Sequence, residues 1–149
     1  MRMTMTQKKE YIEKFVDSGK SIELVAWAEL GYNSPMSARA SFNTALKRNP
    51  YNCHLITKGL KVYLLTDDFY NFYISNEEYW KKFKQWLLQI NECEHSILNR
   101  SPNTLNIPRD MFPKMGSVNL LFQLRNIVQE CPYLHLVINV NKDYVSIWK

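Results

Sequence analysis

Hydrophobic positions near the start of the chain recur at helical spacing. An apolar stripe predicts an amphipathic helix over residues 7–17. Ser21 is the expected N-cap of a second helix over 22–30, which is apolar on most sides and is stopped by Gly31. We expect such a helix to be packed between other elements, because it has little polar surface to offer water.

A third helix has the clearest start signal in the chain. Ser34 is an N-cap candidate, and Pro35 occupies the first helical position, where its missing N–H has no cost. The helix should run to about Asn49. At about 100° per residue its inner face holds Ala38, Phe42, Ala45, Leu46 and Asn49. Its outer face holds Met36, Ser37, Ala40, Asn43, Thr44 and Lys47, with Arg39 and Arg48 alongside.

From Cys53 the apolar pattern alternates, which predicts a β-hairpin turning at Lys58-Gly59. One face would be core, with Cys53, Leu55, Thr57, Leu60, Val62 and Leu64. The other would be wet, with His54, Ile56, Lys61 and Tyr63. Residues 4–66 are therefore predicted to form three helices closed by a hairpin.

The second half begins with a short aromatic linker over 67–75. A capping box at Ser75–Glu78 predicts a long helix over 76–99, which at about 1.5 Å per residue would span about 35 Å. That exceeds what a small unit needs for its own core. We therefore expect this helix to carry a homodimer or partner contact.

Residues 76–149 are predicted to be a second helix-rich unit. The proline-containing stretch 100–116 is expected to be loop, with a short turn near 108–111. A helix follows over 117–130, and a C-terminal hairpin turns near Lys142-Asp143. The fold class is α+β, mainly helical. The order helix, short turn, helix, hairpin occurs twice, so two similar units in tandem are one possibility.

The positive charge is concentrated in the first half. The net charge is +5, and residues 1–66 hold ten Lys or Arg against five Asp or Glu, whereas residues 67–149 hold nine of each. Residues 36–66 contain five basic side chains and no acidic one. Such a surface suits a polyanion, although a solvated basic face would have the same composition.

Neither composition nor motifs point to catalysis. The chain has three cysteines, an odd number that does not form a disulfide framework, and no long apolar run. We therefore expect a cytoplasmic protein in a reducing compartment, away from membranes. No glycine-rich phosphate loop, nucleophile elbow or paired metal-ligand motif is present, so no catalytic residue, metal or cofactor is predicted.

Residues 21–65, SIELVAWAELGYNSPMSARASFNTALKRNPYNCHLITKGLKVYLL, resemble the winged helix-turn-helix family of DNA-binding proteins. The resemblance rests on the helix stopped by Gly31, the capped helix from Ser34, the basic Lys47-Arg48 and the turn at Lys58-Gly59. It implies that helix 35–49 would lie in the major groove of duplex DNA, with the 58–59 turn as the wing.

The resemblance also implies roles for individual residues. Asn43 would read an adenine edge, Arg39 would reach guanine, and Ala40 with the Thr44 methyl would meet a thymine methyl. Phosphates would be bound by Ser37, Lys47, Arg48, Lys58 and Lys61, and by Ser34 at the helix start. The expected function is that of a DNA-binding regulator or accessory factor.

An alternative function is a protein-interaction module, such as a phage or mobile-element inhibitor or adaptor of a host nucleic-acid enzyme. Phe122 on the predicted 117–130 helix faces outward beside polar neighbours. Exposed aromatic side chains favour interfaces. Partner-binding candidates are Phe122, Asn126, Tyr144 and Trp148. An uncharacterised enzyme is a third reading.

Overall fold

The computed structural model describes residues 3–47, 52–74, 78–100 and 103–149. The chain divides into two compact units, Met1–Ile74 and Ser75–Lys149. Each unit combines helices with one antiparallel three-stranded sheet. The predicted α+β class is therefore confirmed.

The first unit is built on a sheet in which the last strand lies in the middle. Its elements are α1 (Met5–Asp17), β1 (Ile22–Val25), α2 (Pro35–Leu46), β2 (Cys53–Lys58), β3 (Lys61–Thr66) and α3 (Asp67–Tyr73). The strand order is β1-β3-β2, with both pairings antiparallel.

The second unit repeats the order of the first five elements. It contains α4 (Tyr79–Glu92), β4 (Leu105–Pro108), α5 (Ser117–Glu130), β5 (Val137–Val140) and β6 (Tyr144–Trp148). Single 3-10 turns occur at Ile97–Asn99, Arg109–Met111 and Pro132–Leu134. The strand order is β4-β6-β5, again antiparallel with the last strand central.

The predictions of α1, α2 and α5 are confirmed. Ser34 caps α2 as expected, and its side chain forms a reciprocal capping box with Ser37. α2 ends at Leu46, and the predicted continuation to Asn49 lies outside the described residues. α5 begins at Ser117 and ends at Glu130, as its apolar period predicts.

The predicted helix over 22–30 is wrong. Ile22–Val25 is strand β1, paired with β3 in the register Ile22↔Leu65 to Val25↔Val62. The remainder forms tight turns, with Leu30 N–H bonded to the Ala26 carbonyl at 3.1 Å. A short apolar run fits a strand as well as a helix, and here the edge of β3 decides the outcome.

The hairpin turn is one residue later than predicted, at Gly59-Leu60, because Lys58 pairs with Lys61. Gly59 has φ +60°, and a type II′ turn needs glycine at its first central position. Leu60, predicted to be core, is therefore at the tip and 77% exposed.

The second face of the first sheet is not wet as predicted. Tyr63 is 1% exposed and Leu65 is fully buried. The segment predicted to be a linker forms α3, which packs against β2 and β3 and buries Phe69 and Phe72. Aromatic side chains of α3 thus provide a second apolar layer for the sheet.

The predicted long helix over 76–99 is also shorter than expected, and residues 75–77 of its predicted capping box lie outside the described residues. α4 covers Tyr79–Glu92, and a separate 3-10 turn follows at Ile97–Asn99. Glu78 at its N-cap has a left-handed conformation with no side-chain cap bond, and Cys93 at its C-cap is extended. A helix of this length is about 21 Å long. The length argument for a homodimer through this helix therefore no longer holds.

The core of the first unit lies between α1, α2 and the sheet. Its buried members are Ile12, Phe15, Val25, Tyr32, Ala38, Phe42, Ala45, Cys53, Leu55, Val62 and Leu64. α2 contributes Ala38, Phe42 and Ala45, which recur at helical spacing on one side. This spacing fixes which side of α2 faces solvent.

Candidate nucleic-acid interface

The outer side of α2 holds most of the candidate DNA-binding residues. Met36, Ala40, Thr44 and Lys47 are exposed, and Ser37, Arg39 and Asn43 are half-buried. The structure therefore places these candidates along one face of one helix. Arg48 lies outside the described residues.

Ser34 and Ser37 are committed to the start of α2. The Ser37 N–H donates to Ser34 Oγ at 3.1 Å, and the Ser34 N–H donates to Ser37 Oγ at 3.2 Å. The Ser37 hydroxyl also donates to the Ser34 carbonyl at 2.9 Å. These hydroxyl groups stabilise the helix start and orient the helix.

Two of the basic candidates contact other elements of the first unit. Arg39 Nη1 lies 3.5 Å from Thr57 Oγ1 on β2. Lys58 Nζ lies 5.5 Å from the centre of the Tyr73 ring on α3. A cation over an aromatic face is attracted to it and has fewer available positions. By contrast, Lys47 and Lys61 are exposed, and neither forms an ion pair within the described ranges.

The hairpin tip is held by a residue that the sequence did not single out. Trp27 Nε1 donates to the Leu60 carbonyl at 2.8 Å. Trp27 lies in the turns between β1 and α2, so this bond connects the segment before α2 to the tip. It fixes the position of the tip, which carries the exposed Leu60 between Lys58 and Lys61.

Lys8 is a second residue that the sequence reasoning missed. It is only 8% exposed, and its Nζ donates to Ser41 O (3.1 Å), Ser41 Oγ (3.2 Å) and Thr44 Oγ1 (3.2 Å). None of these acceptors is charged. The positive charge of Lys8 thus lies beside α2, bound to neutral oxygens. The available signal was its position one turn before Ile12, on the buried stripe of α1.

Electrostatically, the stretch that contains α2 and the hairpin is one-sided. Residues 31–66 contain five Lys or Arg and no Asp or Glu. Lys8 of α1 adds a further, largely buried cation beside Ser41 and Thr44 of α2. A cluster of fixed positive charges raises the local concentration of anions.

No family model, curated protein or solved structure matches this chain. Its function is therefore inferred from the geometry and charge of the two units.

The second unit has a different outer face at corresponding helix positions. Its buried residues Leu120, Leu124 and Ile127 have the same spacing as Ala38, Phe42 and Ala45 of α2. With the helices aligned on these residues, Phe122 takes the position of Ala40, Arg125 that of Asn43 and Gln129 that of Lys47. The outer side of α5 is therefore more apolar and less basic.

The four partner-binding candidates lie on two elements. On α5, Phe122 is 68% exposed, and Asn126 is exposed one turn later. On β6, Tyr144 is exposed and Trp148 is half-buried, on the side opposite Val145 and Ile147. Phe122 and Asn126 thus lie on the same helix, and Tyr144 and Trp148 lie on the same side of one strand.

The His54 and Asp67 side chains, which could in principle take part in chemistry, form contacts that stabilise the first unit. His54 Nε2 lies 2.7 Å from Asp67 Oδ1, and the His54 ring stacks on Tyr70 with centroids 4.0 Å apart. These contacts join β2 to α3. Among the described residues no cluster of His, Cys, Asp and Glu has the form of a metal site, and no helix is long and apolar enough to cross a membrane.

We expect Cys53 to react slowly with thiol reagents. Burial, and then the nearby Asp67 charge, raises the pKa of this thiol to about 11. At about pH 8 roughly 0.1% would be thiolate, against about a quarter of an ordinary thiol. Timed labelling with peptide mapping should show exposed Cys93 modified at least ~100-fold faster than Cys53. Equal rates in the folded chain would contradict this burial, and denatured protein is the control.

Proposed function

We propose that the first unit binds duplex DNA through the outer face of α2 and the β2-β3 hairpin tip, and that the chain is a regulator or accessory factor. The observation that carries the proposal is the basic stretch over 31–66, which has no acidic residue and within which the outer face of α2 is exposed. The activity proposed is binding, with no catalytic step.

The arrangement of the elements supports this proposal. A helix, a strand, tight turns, a second helix and a hairpin follow one another, with the strand order β1-β3-β2. The helix expected before the turn is replaced by β1 and tight turns, so the support from the architecture that residues 21–65 resemble comes from the capped α2 and the hairpin that follows it. In that architecture α2 would enter the major groove and the tip at Gly59-Leu60 would contact the neighbouring backbone.

The exposure and contacts of the candidate residues suit them to different tasks in the proposed complex. Lys47 and Lys61 are exposed cations, suited to bind phosphate. Asn43 and Arg39 lie beside the exposed row and are suited to reach base edges. Thr44 donates its hydroxyl to the Ser41 carbonyl at 2.6 Å and accepts from Lys8 at 3.2 Å. Its methyl group is therefore the part suited to a thymine contact.

The test is binding of the full chain to a fluorescent random-sequence duplex at a series of salt concentrations. If four to six phosphates are neutralised, the logarithm of the affinity should fall with the logarithm of salt with a slope of about −4 to −5. A single strand of the same length provides the comparison. Absence of duplex binding at low salt would contradict the proposal.

A second candidate function, a protein-interaction module, is favoured by one observation. α5 exposes Phe122 and Val118 at the helix positions where α2 exposes Ala40 and Met36. Such aromatic and aliphatic surface favours protein contacts. The two functions concern different units and are compatible in one chain.

A further inference from the structure

α5 and β5 of the second unit enclose a mainly apolar groove. Its volume is about 300 Å³, and it is lined by Arg125, Val128, Gln129, Leu136, Val137 and Ile138. Arg125 is the one charged residue in this lining. The groove thus offers apolar surface with a cation at one place.

Exposed apolar residues extend this surface along α5. Phe122, Arg125 and Gln129 are separated by three and four positions, so they follow one side of the helix. Val118, one turn before Phe122, is 81% exposed. A ligand lying along the groove would therefore meet a continuous row of side chains from α5.

The other wall of the groove is an edge strand. β5 pairs with β6 and has no second strand beside it in the described structure. The Asn141 N–H donates to the Tyr144 carbonyl at 3.0 Å. By the alternation of an antiparallel ladder, the backbone groups of Val137 and Asn139 face β6, and those of Ile138 and Val140 face the open edge. Such an edge can pair with another extended chain.

The charge of the groove selects the chemistry of that chain. No ion pair involves Arg125 within the described residues. The one acidic residue of α5, Glu130, is bonded to Lys84 at 2.6 Å. Arg125 therefore lacks a carboxylate partner on its own helix, and a carboxylate on a bound chain would complement it.

We propose that this groove binds an extended, acidic segment of a partner protein, which pairs with β5 as a fourth strand. Its alternate apolar side chains lie beside Ile138 and Val140, which share one face of the sheet, and a carboxylate pairs with Arg125. Strand addition obtains affinity from main-chain hydrogen bonds and specificity from the side-chain pockets. The proposal goes beyond DNA binding, because it assigns a separate ligand to the second unit.

The test uses the full chain and a display library of random twelve-residue peptides. We expect enrichment of peptides in which apolar residues alternate and at least one Asp or Glu is present. A synthetic copy of the most enriched peptide should bind Arg125→Glu at least ~10-fold more weakly than wild type, because a charge pair becomes a repulsion. The matched control is Lys142→Glu, an equal charge change at an exposed residue outside the groove lining.

Backbone methylation of the peptide distinguishes strand addition from other binding modes. Two peptides are compared, one methylated on the amide nitrogens of its odd positions and one on those of its even positions; these are the two methylation phases. One phase should abolish binding, and the other should leave it nearly unchanged. In the complex, the amides of Ile138 and Val140 should become protected from hydrogen exchange. The proposal is overturned by a lack of enrichment, by equal effects of both methylation phases, or by a dimer of the free chain paired through β5. DNA binding is measured separately, so either proposal can fail alone.

Discussion

Replacing Phe42 by alanine is expected to cost the first unit about 3–5 kcal/mol of stability. Phe42 is fully buried, and its ring contacts those of Tyr11 (5.4 Å between centroids) and Tyr32 (6.1 Å). Alanine would leave a cavity between α1, α2 and the sheet. Because α2 carries the proposed DNA-binding face, the same change should reduce DNA binding in proportion to the unfolded fraction.

Hydrogen exchange measures this effect in each unit. Amides of β3 report on the first unit and amides of β6 on the second. The Phe42 substitution should lower protection in β3 by roughly two to four powers of ten, up to the full stability of the unit. Met36→Ala, on the exposed side of the same helix, should change the free energy of unfolding by less than about 0.5 kcal/mol. A loss in β3 as small as that of Met36→Ala would contradict the burial of Phe42 between Tyr11 and Tyr32.

Elements whose signals are local were predicted correctly. α2 begins at Ser34-Pro35 because the capping box and the proline favour a helix start in that short stretch itself. α5 was predicted from apolar spacing that its own sequence contains. In the same way, the alternation over 137–148 predicted the second hairpin, whose strands pair as Val140↔Val145.

Elements whose conformation depends on residues far away in the sequence were not predicted correctly. β1 is a strand because β3, some forty positions later, pairs with it, and residues 22–25 alone do not specify that partner. α4 ends at Glu92 although its apolar pattern continues, because Cys93 leaves the helical conformation. The left-handed backbone conformation of Glu78, the N-cap residue of α4, likewise cannot be predicted from the residue pattern.

The candidate interface follows the same division. Exposure of Ala40, Thr44 and Lys47 follows from helical periodicity, since the buried Phe42 and Ala45 fix the opposite side. The contact between Lys58 and Tyr73 depends on α3, which was not predicted to be a helix. Lys8 joins the site only because α1 packs against α2. Sequence thus identified the face, and tertiary packing determines which of its cations are exposed.

Removing Lys47 and Lys61, the exposed cations of this face among the described residues, is expected to have the largest effect on DNA binding. Each phosphate contact releases about 0.9 counterion, which at about 0.1 M salt contributes roughly eightfold in affinity. Lys47→Ala with Lys61→Ala should therefore weaken binding by about 60-fold, and the salt slope should become shallower by about 1.8. Both residues are exposed, so we expect little change in stability.

The matched control removes the same charge from α1 and the following turn. Lys14 lines a cavity with Glu10 and Glu29, and Lys20 Nζ lies 3.8 Å from Glu23 Oε1. These cations already have carboxylates nearby, so Lys14→Ala with Lys20→Ala should leave the salt slope almost unchanged. If both double variants lost affinity equally, binding would depend on net charge alone, and α2 with the hairpin tip would not be the DNA-binding face. A loss confined to the Lys47 and Lys61 variant requires that phosphate lie against this face, because the total charge of the two variants is identical.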